Sequence, residues 1–98
     1  MKSRDRAKYT ELEHLPNIGP AVAADLRLLG ITRPKQLRDR DPYAMYDRLC
    51  RLTRTRHDPC LLDTFIAATR FMAGDPPRPW WKYTAERKRK LAGAPRTK

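Results

Sequence analysis

The residues best suited to hold an anion lie in residues 15–26, which read LPNIGPAVAADL. A helix that begins at Pro20 leaves its first amide N–H groups without intrahelical partners, and these groups carry partial positive charge. Gly19 precedes this helix and only small side chains follow the proline, so no long side chain blocks an approaching oxyanion. Because Pro20 has no N–H group, the donors are the amides of Gly19, Ala21 and Val22. The segment predicts a phosphate-binding bend.

A second group of reactive side chains combines Cys50 and Cys60 with His57 and Asp58. The spacing lacks the paired Cys-x-x-Cys of a zinc site, and a metal would need another ligand from His14 or a carboxylate. Nucleophilic catalysis by a thiol is the other interpretation, but a carboxylate that caps a helix start is already engaged by backbone amides. We expect both cysteines to be reduced and buried at a helix–helix contact, with neither a metal site nor a catalytic residue.

The positive charge of the chain is concentrated at its ends. The 98 residues include 22 Lys+Arg and 11 Asp+Glu, which gives a formal charge of +11. Residues 1–8 carry four cations and one anion, residues 78–98 carry eight cations and one anion, and the middle is nearly neutral. A polyanion is the partner that such blocks favour, because each cation placed at a phosphate releases condensed counterions. Solubility alone is the simpler interpretation of these blocks.

Membrane and secretory classes are disfavoured by the apolar pattern. No apolar run approaches the roughly 18–20 residues of a membrane span, and no apolar region follows the basic start MKSRDRAK. Only Leu91 and Ala92 follow the basic run at residues 87–90, so strong insertion into a membrane surface is not expected. We expect one small cytoplasmic domain.

The elements that position these residues are helices separated by clear breakers. Residues 16–20 (PNIGP) interrupt a helical spacing of apolar side chains, and Asp41 and Asp58 each precede a proline as a capping pair. Helical segments are predicted to end near His14 and to occupy residues 20–29, 32–38, 41–53 and 58–73. No stretch alternates with period two, so the predicted fold class is all-α, a compact bundle of about five short helices.

The C-terminal part of the chain begins with a stiff, extended linker at residues 75–79 (DPPRP). Trp80 and Trp81 follow, and each ring can pack on the core or stack on an unpaired base beside the nearby cations. Residues 84–91 can form a short basic helix before Gly93. We divide the chain into a basic arm (1–8), a helical domain (9–75), and a linker, Trp-Trp segment and basic tail (76–98).

The bend resembles the helix-hairpin-helix motif of DNA-binding and repair proteins, in which hydrophobic-Pro-Gly-hydrophobic-Gly-Pro precedes a helix of small residues. The matching positions are Leu15, Pro16, Ile18, Gly19, Pro20, Ala24, Leu26 and the Leu29-Gly30-Ile31 ending. Asn17 departs from the motif, which usually has glycine there, although asparagine also tolerates left-handed geometry. The resemblance implies a hairpin that holds backbone phosphates in the minor groove without reading sequence, sometimes with a monovalent cation.

A longer stretch, roughly residues 10–83, is similar to the small bacterial "pathogenicity locus" proteins, some of which carry mitomycin-resistance labels. The similar positions are Asp41-Pro42, Tyr46, Leu49-Cys50, Arg56-His57-Asp58-Pro59-Cys60, Phe65 and Pro79-Trp80-Trp81-Lys82. This resemblance implies a compact five-helix unit and no well-defined activity.

Together these features predict a non-enzymatic, sequence-independent DNA-binding module, with a link to DNA repair or damage resistance implied by the resemblance. The predicted nucleic-acid-binding residues are Asn17, Ile18, Gly19, Ala21, Val22, Arg27, Lys82, Arg87, Lys88, Arg89 and Lys90. The sequence does not show on which face of the fold four further candidates lie: Lys35, Arg38, Arg54 and Arg56. The chain is too short for a base-flipping glycosylase.

The expected partners are DNA and, as a second candidate, a repair or recombination protein. We expect a monomer or a weak dimer and no cofactor, apart from a monovalent cation that the hairpin could hold. The alternative is a protein-interaction adaptor in which the hairpin docks a partner and the basic tail serves solubility.

Overall fold

The computed structural model describes residues 9–93, so the predicted basic arm at residues 1–8 and the last residues of the predicted tail lie outside it. Within these residues the chain forms four α-helices: α1 (Pro20–Leu28), α2 (Pro42–Thr53), α3 (Pro59–Met72) and α4 (Thr84–Gly93). The same range contains three short 3-10 turns, at Leu12–His14, Pro34–Leu37 and Trp80–Tyr83. Residues 9–93 contain no β-strand, which confirms the predicted all-α class.

Prolines and aspartates fix where the helices begin. Each of the first three α-helices has a proline in its first turn, where the missing N–H group costs nothing. The side chain of Asp41 accepts a hydrogen bond from the amide of Tyr43 (2.9 Å), and Asp58 caps α3 through the amide of Cys60 (3.0 Å). This amide lowers the pKa of the Asp58 carboxyl below its ordinary value. Helix α1 differs, because Gly19 supplies no capping side chain.

A residue with left-handed backbone lies at or just after the end of each of the first three α-helices. Gly30 follows α1 with φ +84° and Gly74 follows α3 with φ +118°, as expected for glycine at these positions. Helix α2 ends at Arg54, which adopts φ +57° where glycine is the usual residue.

Helix α3 lies at the centre of the fold, and ten of its fourteen residues are buried. Phe65 and its neighbours on one side of α3 belong to a core cluster with Leu12, Leu26, Leu37 and Leu49. These four leucines come from the first 3-10 turn, α1, the second 3-10 turn and α2, so α3 joins all the preceding elements.

A second side of α3 packs against the C-terminal elements. Leu62, Ile66 and Ala67 cluster with Tyr83 of the third 3-10 turn. The carboxylate of Asp63 is fully buried and accepts hydrogen bonds from Thr84 (2.6 Å) and from Arg87 Nε (2.7 Å). The folded unit therefore extends past residue 75, and α4 is anchored to the core instead of forming a separate solvated tail.

Candidate nucleic-acid interface

The bend at residues 15–19 is attached to the core because two of its apolar side chains pack there. Leu15 and Ile18 are both buried, and the amide of Ile18 donates to the carbonyl of Leu15 (3.2 Å). Between them Asn17 adopts φ +70°, the left-handed conformation that the motif normally assigns to glycine. The sequence predicts Ile18 among the nucleic-acid-binding residues, but its amide is already bonded and its side chain is buried, so Ile18 acts as the anchor of the bend.

The start of α1 presents free amide donors. The amides of Gly19, Ala21 and Val22 make no hydrogen bond to any residue between 9 and 93, and the first helical bond comes from Ala23 to the Gly19 carbonyl (2.9 Å). Gly19 and Ala21 are exposed. A Cβ atom built on Gly19 meets nothing within 4 Å, so the space beside Gly19 is open. The geometry allows an oxyanion to approach the donors that the sequence predicts.

The side chain of Asn17 joins the bend to the C-terminal segment. Its Nδ2 donates to the carbonyl of Arg78 (2.7 Å), and its Oδ1 accepts from the amide of Trp80 (3.3 Å). One side-chain amide thereby holds the bend to a backbone segment more than sixty positions later in the chain. The contact brings the Trp-Trp segment next to the bend.

The two tryptophans differ in exposure. Trp80 is half-buried, whereas Trp81 is 60% exposed, and their rings meet edge to face with centroids 5.8 Å apart. One ring is thus held near the fold while the other offers an aromatic surface to solvent. Such a ring can stack on an unpaired base. The neighbouring Lys82 is also exposed.

The remaining predicted cations divide into exposed and internal groups. Arg27 is exposed and forms a surface ion pair with Glu13 (3.3 Å), a type of contact that contributes little stability. Lys88, Arg89 and Lys90 are exposed on α4, and the Nζ of Lys90 lies 5.0 Å from the centroid of the Tyr43 ring.

Arg87 departs from the predicted interface. Its guanidinium contacts both oxygens of Asp63, and this hydrogen bond raises the pKa of Arg87 above its ordinary value. A cation fixed on a buried carboxylate is not free to meet a phosphate, so Arg87 serves the fold and does not belong to the interface.

The cysteine and histidine side chains of the second group lie at the turn between α2 and α3. Both thiols are free and half-buried, so they are less buried than the sequence predicts. The Nε2 of His57 lies 2.9 Å from the hydroxyl of Thr53, while burial raises the pKa of the Cys60 thiol and makes the thiolate scarcer. Residues 9–93 contain no group of three or more metal-binding side chains close enough to share an ion.

Sequence reasoning missed the bridging role of Asn17 and the partner of Arg87. A signal for the second was present: Asp63 is the one acidic residue within α3, among the apolar residues that become the core. An acidic residue in such a position needs a cation. Nothing local in the sequence marks Asn17 as a partner of Arg78 and Trp80, since backbone groups carry no sequence signature.

None of the helices in the described part of the chain is long and apolar enough to span a membrane. No solved structure matches the chain. The curated "Mitomycin resistance protein McrB" of Streptomyces lavendulae is 50% identical over 84 residues, which cover 86% of this chain and 80% of that protein. Residues 5–89 match the sequence profile of the family Cdd1, described as "Pathogenicity locus". The chain therefore belongs to the pathogenicity locus family.

Proposed function

We propose that this chain is a non-enzymatic, sequence-independent DNA-binding module that holds a backbone phosphate at the start of α1. The observation that carries the proposal is the group of amides at Gly19, Ala21 and Val22, which lack partners within residues 9–93 and lie at the exposed start of α1, beside open space at Gly19. The positive end of the helix dipole points in the same direction, so a phosphate oxygen gains both hydrogen bonds and favourable charge.

The surroundings of the bend support a nucleic acid as the source of that phosphate. Trp81 and Lys82 lie beside the bend because Asn17 holds the backbone at Arg78 and Trp80. Arg27 is exposed on α1 itself. The proposed phosphate site is thus flanked by an aromatic ring and by cations. This arrangement fits a nucleic-acid strand, in which phosphates, bases and sugars recur along the length. These groups read no base edge, and the binding is therefore independent of sequence.

The relative from Streptomyces lavendulae is named for resistance to mitomycin. We extend that role to this chain as damage resistance, in which a small module binds DNA at or near a lesion and works with a repair or recombination protein. Family membership supports the general process, and the bend supplies the proposed contact.

The test is a chemical-shift map of the ¹⁵N-labelled full chain titrated with a short duplex and with a single strand. We expect the largest amide shifts at Gly19, Ala21 and Val22, with smaller shifts at Trp81 and Lys82. Shifts confined to α4, with none at the start of α1, would contradict the proposal and reduce the interaction to general charge.

A protein-interaction adaptor remains the second candidate, and one observation favours it. Trp81, which the Asn17 contacts bring next to the bend, is 60% exposed, and an exposed tryptophan suits a protein contact as well as a base. In the same titration, the adaptor predicts no saturable response to either nucleic acid.

A further inference from the structure

A cavity of about 620 Å³ lies between α2, the loop at residues 54–58, α3 and α4. Tyr43, Tyr46 and Leu62 contribute aromatic and aliphatic surface to it, and no residue of the bend lines it. Ligand sites of small molecules commonly have this volume and combine apolar surface with a few polar groups. The cavity is therefore a second candidate site, separate from the proposed phosphate contact.

Three arginines line the same cavity: Arg51, Arg54 and Arg56. All three are exposed, and none forms an ion pair with any residue of the described chain. The acidic residue among the lining side chains is Asp47, so the lining has an excess of positive charge. Guanidinium groups bind phosphates through paired hydrogen bonds, which an unpartnered arginine can form without breaking an existing contact.

The loop that carries two of these arginines is held in place by hydrogen bonds to α2. The hydroxyl of Tyr46 donates to the carbonyl of His57, and the amide of Thr55 donates to the carbonyl of Cys50 (3.1 Å). The ring of His57 also contacts the hydroxyl of Thr53 at 2.9 Å. A loop fixed in this way positions its side chains before a ligand arrives, which lowers the entropic cost of binding.

Arg54 occupies its place at a conformational cost. Its φ of +57° is in the left-handed region, where glycine would carry no Cβ penalty at the end of α2. Residues held in sparsely populated backbone regions cluster at binding sites, where the strain accompanies a function. Ligand binding by the guanidinium explains why arginine occupies a position whose backbone conformation glycine adopts at lower cost.

We propose that this cavity binds a nucleotide, with the phosphate on Arg51, Arg54 and Arg56 and the base against the tyrosine and leucine side chains. The volume is much larger than a phosphate ion needs, and an inorganic anion makes no use of the tyrosine and leucine surface. A free mononucleotide and the 5′-phosphorylated terminal nucleotide of a strand share this chemistry. The site does not depend on the start of α1.

The first experiment is calorimetric titration of the full chain with adenosine 5′-monophosphate, adenosine and inorganic phosphate. We expect saturable binding of the nucleotide. Adenosine and inorganic phosphate should each bind at least about tenfold more weakly than the nucleotide, since each fragment loses one set of contacts. Absence of saturable nucleotide binding, or equal affinity for phosphate alone, would overturn the proposal. A 5′-phosphorylated dinucleotide that binds more tightly than the mononucleotide assigns the site to a strand end, and the reverse order assigns it to free nucleotide.

Two variants within the site and one control outside it separate the site from the fold. Arg54→Gly should be at least as stable as the parent, because glycine adopts this φ freely, yet bind the nucleotide about tenfold more weakly through loss of a charged hydrogen bond. Arg51→Gln should weaken binding similarly, whereas Arg48→Gln, an exposed arginine on the same helix outside the cavity, should change it less than about twofold. Equal losses for Arg48→Gln and Arg51→Gln would reduce the effect to net charge and refute the site.

Failure of this site and failure of the proposed DNA contact give different results. A change at Gly19 leaves the cavity intact and should leave nucleotide binding unchanged, while Arg54→Gly leaves the amides at the start of α1 unchanged.

Discussion

Asn17 shows how one departure from a motif can add a function. Glycine at this position would satisfy the left-handed backbone, which Asn17 also adopts with φ +70°. The asparagine side chain then donates to the carbonyl of Arg78 and accepts from the amide of Trp80. The substitution therefore keeps the bend and joins it to the Trp-Trp segment, which glycine has no atoms to do.

The substitution Asn17→Gly tests this second role without disturbing the first. The backbone conformation should persist, while loss of two hydrogen bonds should weaken attachment of residues 78–80 by about 1–2 kcal/mol. Amide hydrogen exchange should accelerate at Trp80 and Trp81, with the exchange rates within α2 unchanged. Unchanged protection at Trp80 would show that the bridge contributes nothing to holding the segment.

At the scale of elements, the buried pair between Asp63 and Arg87 decides how the basic helix is attached. Asp63 lies on α3 with no exposed surface, and the side chain of Arg87 is 12% exposed. A second ion pair, between Arg70 and Glu86, also joins α3 to α4, but it is about one-third exposed and so contributes less. The exposed cations Lys88, Arg89 and Lys90 owe their fixed position to this attachment.

Removing one partner of the buried pair should cost more than removing both. Arg87→Ala leaves a carboxylate buried without its cation and should destabilise the protein by about 3–5 kcal/mol. The double variant Asp63→Leu with Arg87→Met replaces the pair by apolar groups and should recover much of this loss. Urea unfolding measures both values. A single variant as stable as the parent would mean that water already reaches the carboxylate and that the pair does not anchor α4.

Local signals in the sequence were sufficient for most element boundaries but not for their assembly. Asp41-Pro42 and Asp58-Pro59 mark the beginnings of α2 and α3 because capping depends on neighbouring residues alone. The predicted helix ending near His14 is only the 3-10 turn Leu12–His14 in the described residues. A segment of that length cannot supply the first full helix of a helix-hairpin-helix motif, so the motif itself stays a resemblance.

The candidate interface was predictable only where it depends on backbone position. The donors at Gly19, Ala21 and Val22 follow from where α1 begins, which proline and glycine mark directly. The internal role of Arg87 depends on a contact with a residue 24 positions away, and a run of basic residues looks the same whether one member is buried or not.

At the scale of the whole molecule, the bend and the C-terminal segment form one folded unit. Tyr83 and Arg87 both complete the buried surface of α3, so truncation after Pro79 would remove part of the core along with the basic residues. The loss of DNA binding in such a truncation would not separate charge from structure. A point substitution in open space at the bend separates them.

Gly19→Asp is that substitution. Its carboxylate should accept a hydrogen bond from the amide of Ala21 or Val22 and stabilise α1 by about 0.5 kcal/mol. The same carboxylate occupies the phosphate site, and its negative charge repels a phosphate. Ala44→Asp, on the exposed first turn of α2, is the matched control because it changes the net charge equally away from the bend.

The most direct test of the account is the affinity of the full chain for a short duplex across a range of salt concentrations. If about four phosphates are contacted, the logarithm of the association constant should fall against the logarithm of salt with a slope near −3.6. Gly19→Asp should weaken binding roughly tenfold or more at each salt concentration, with Ala44→Asp close to the parent. Equal affinities for the two variants, or a slope near zero, would contradict the claim that free amides at the start of α1 hold a DNA phosphate.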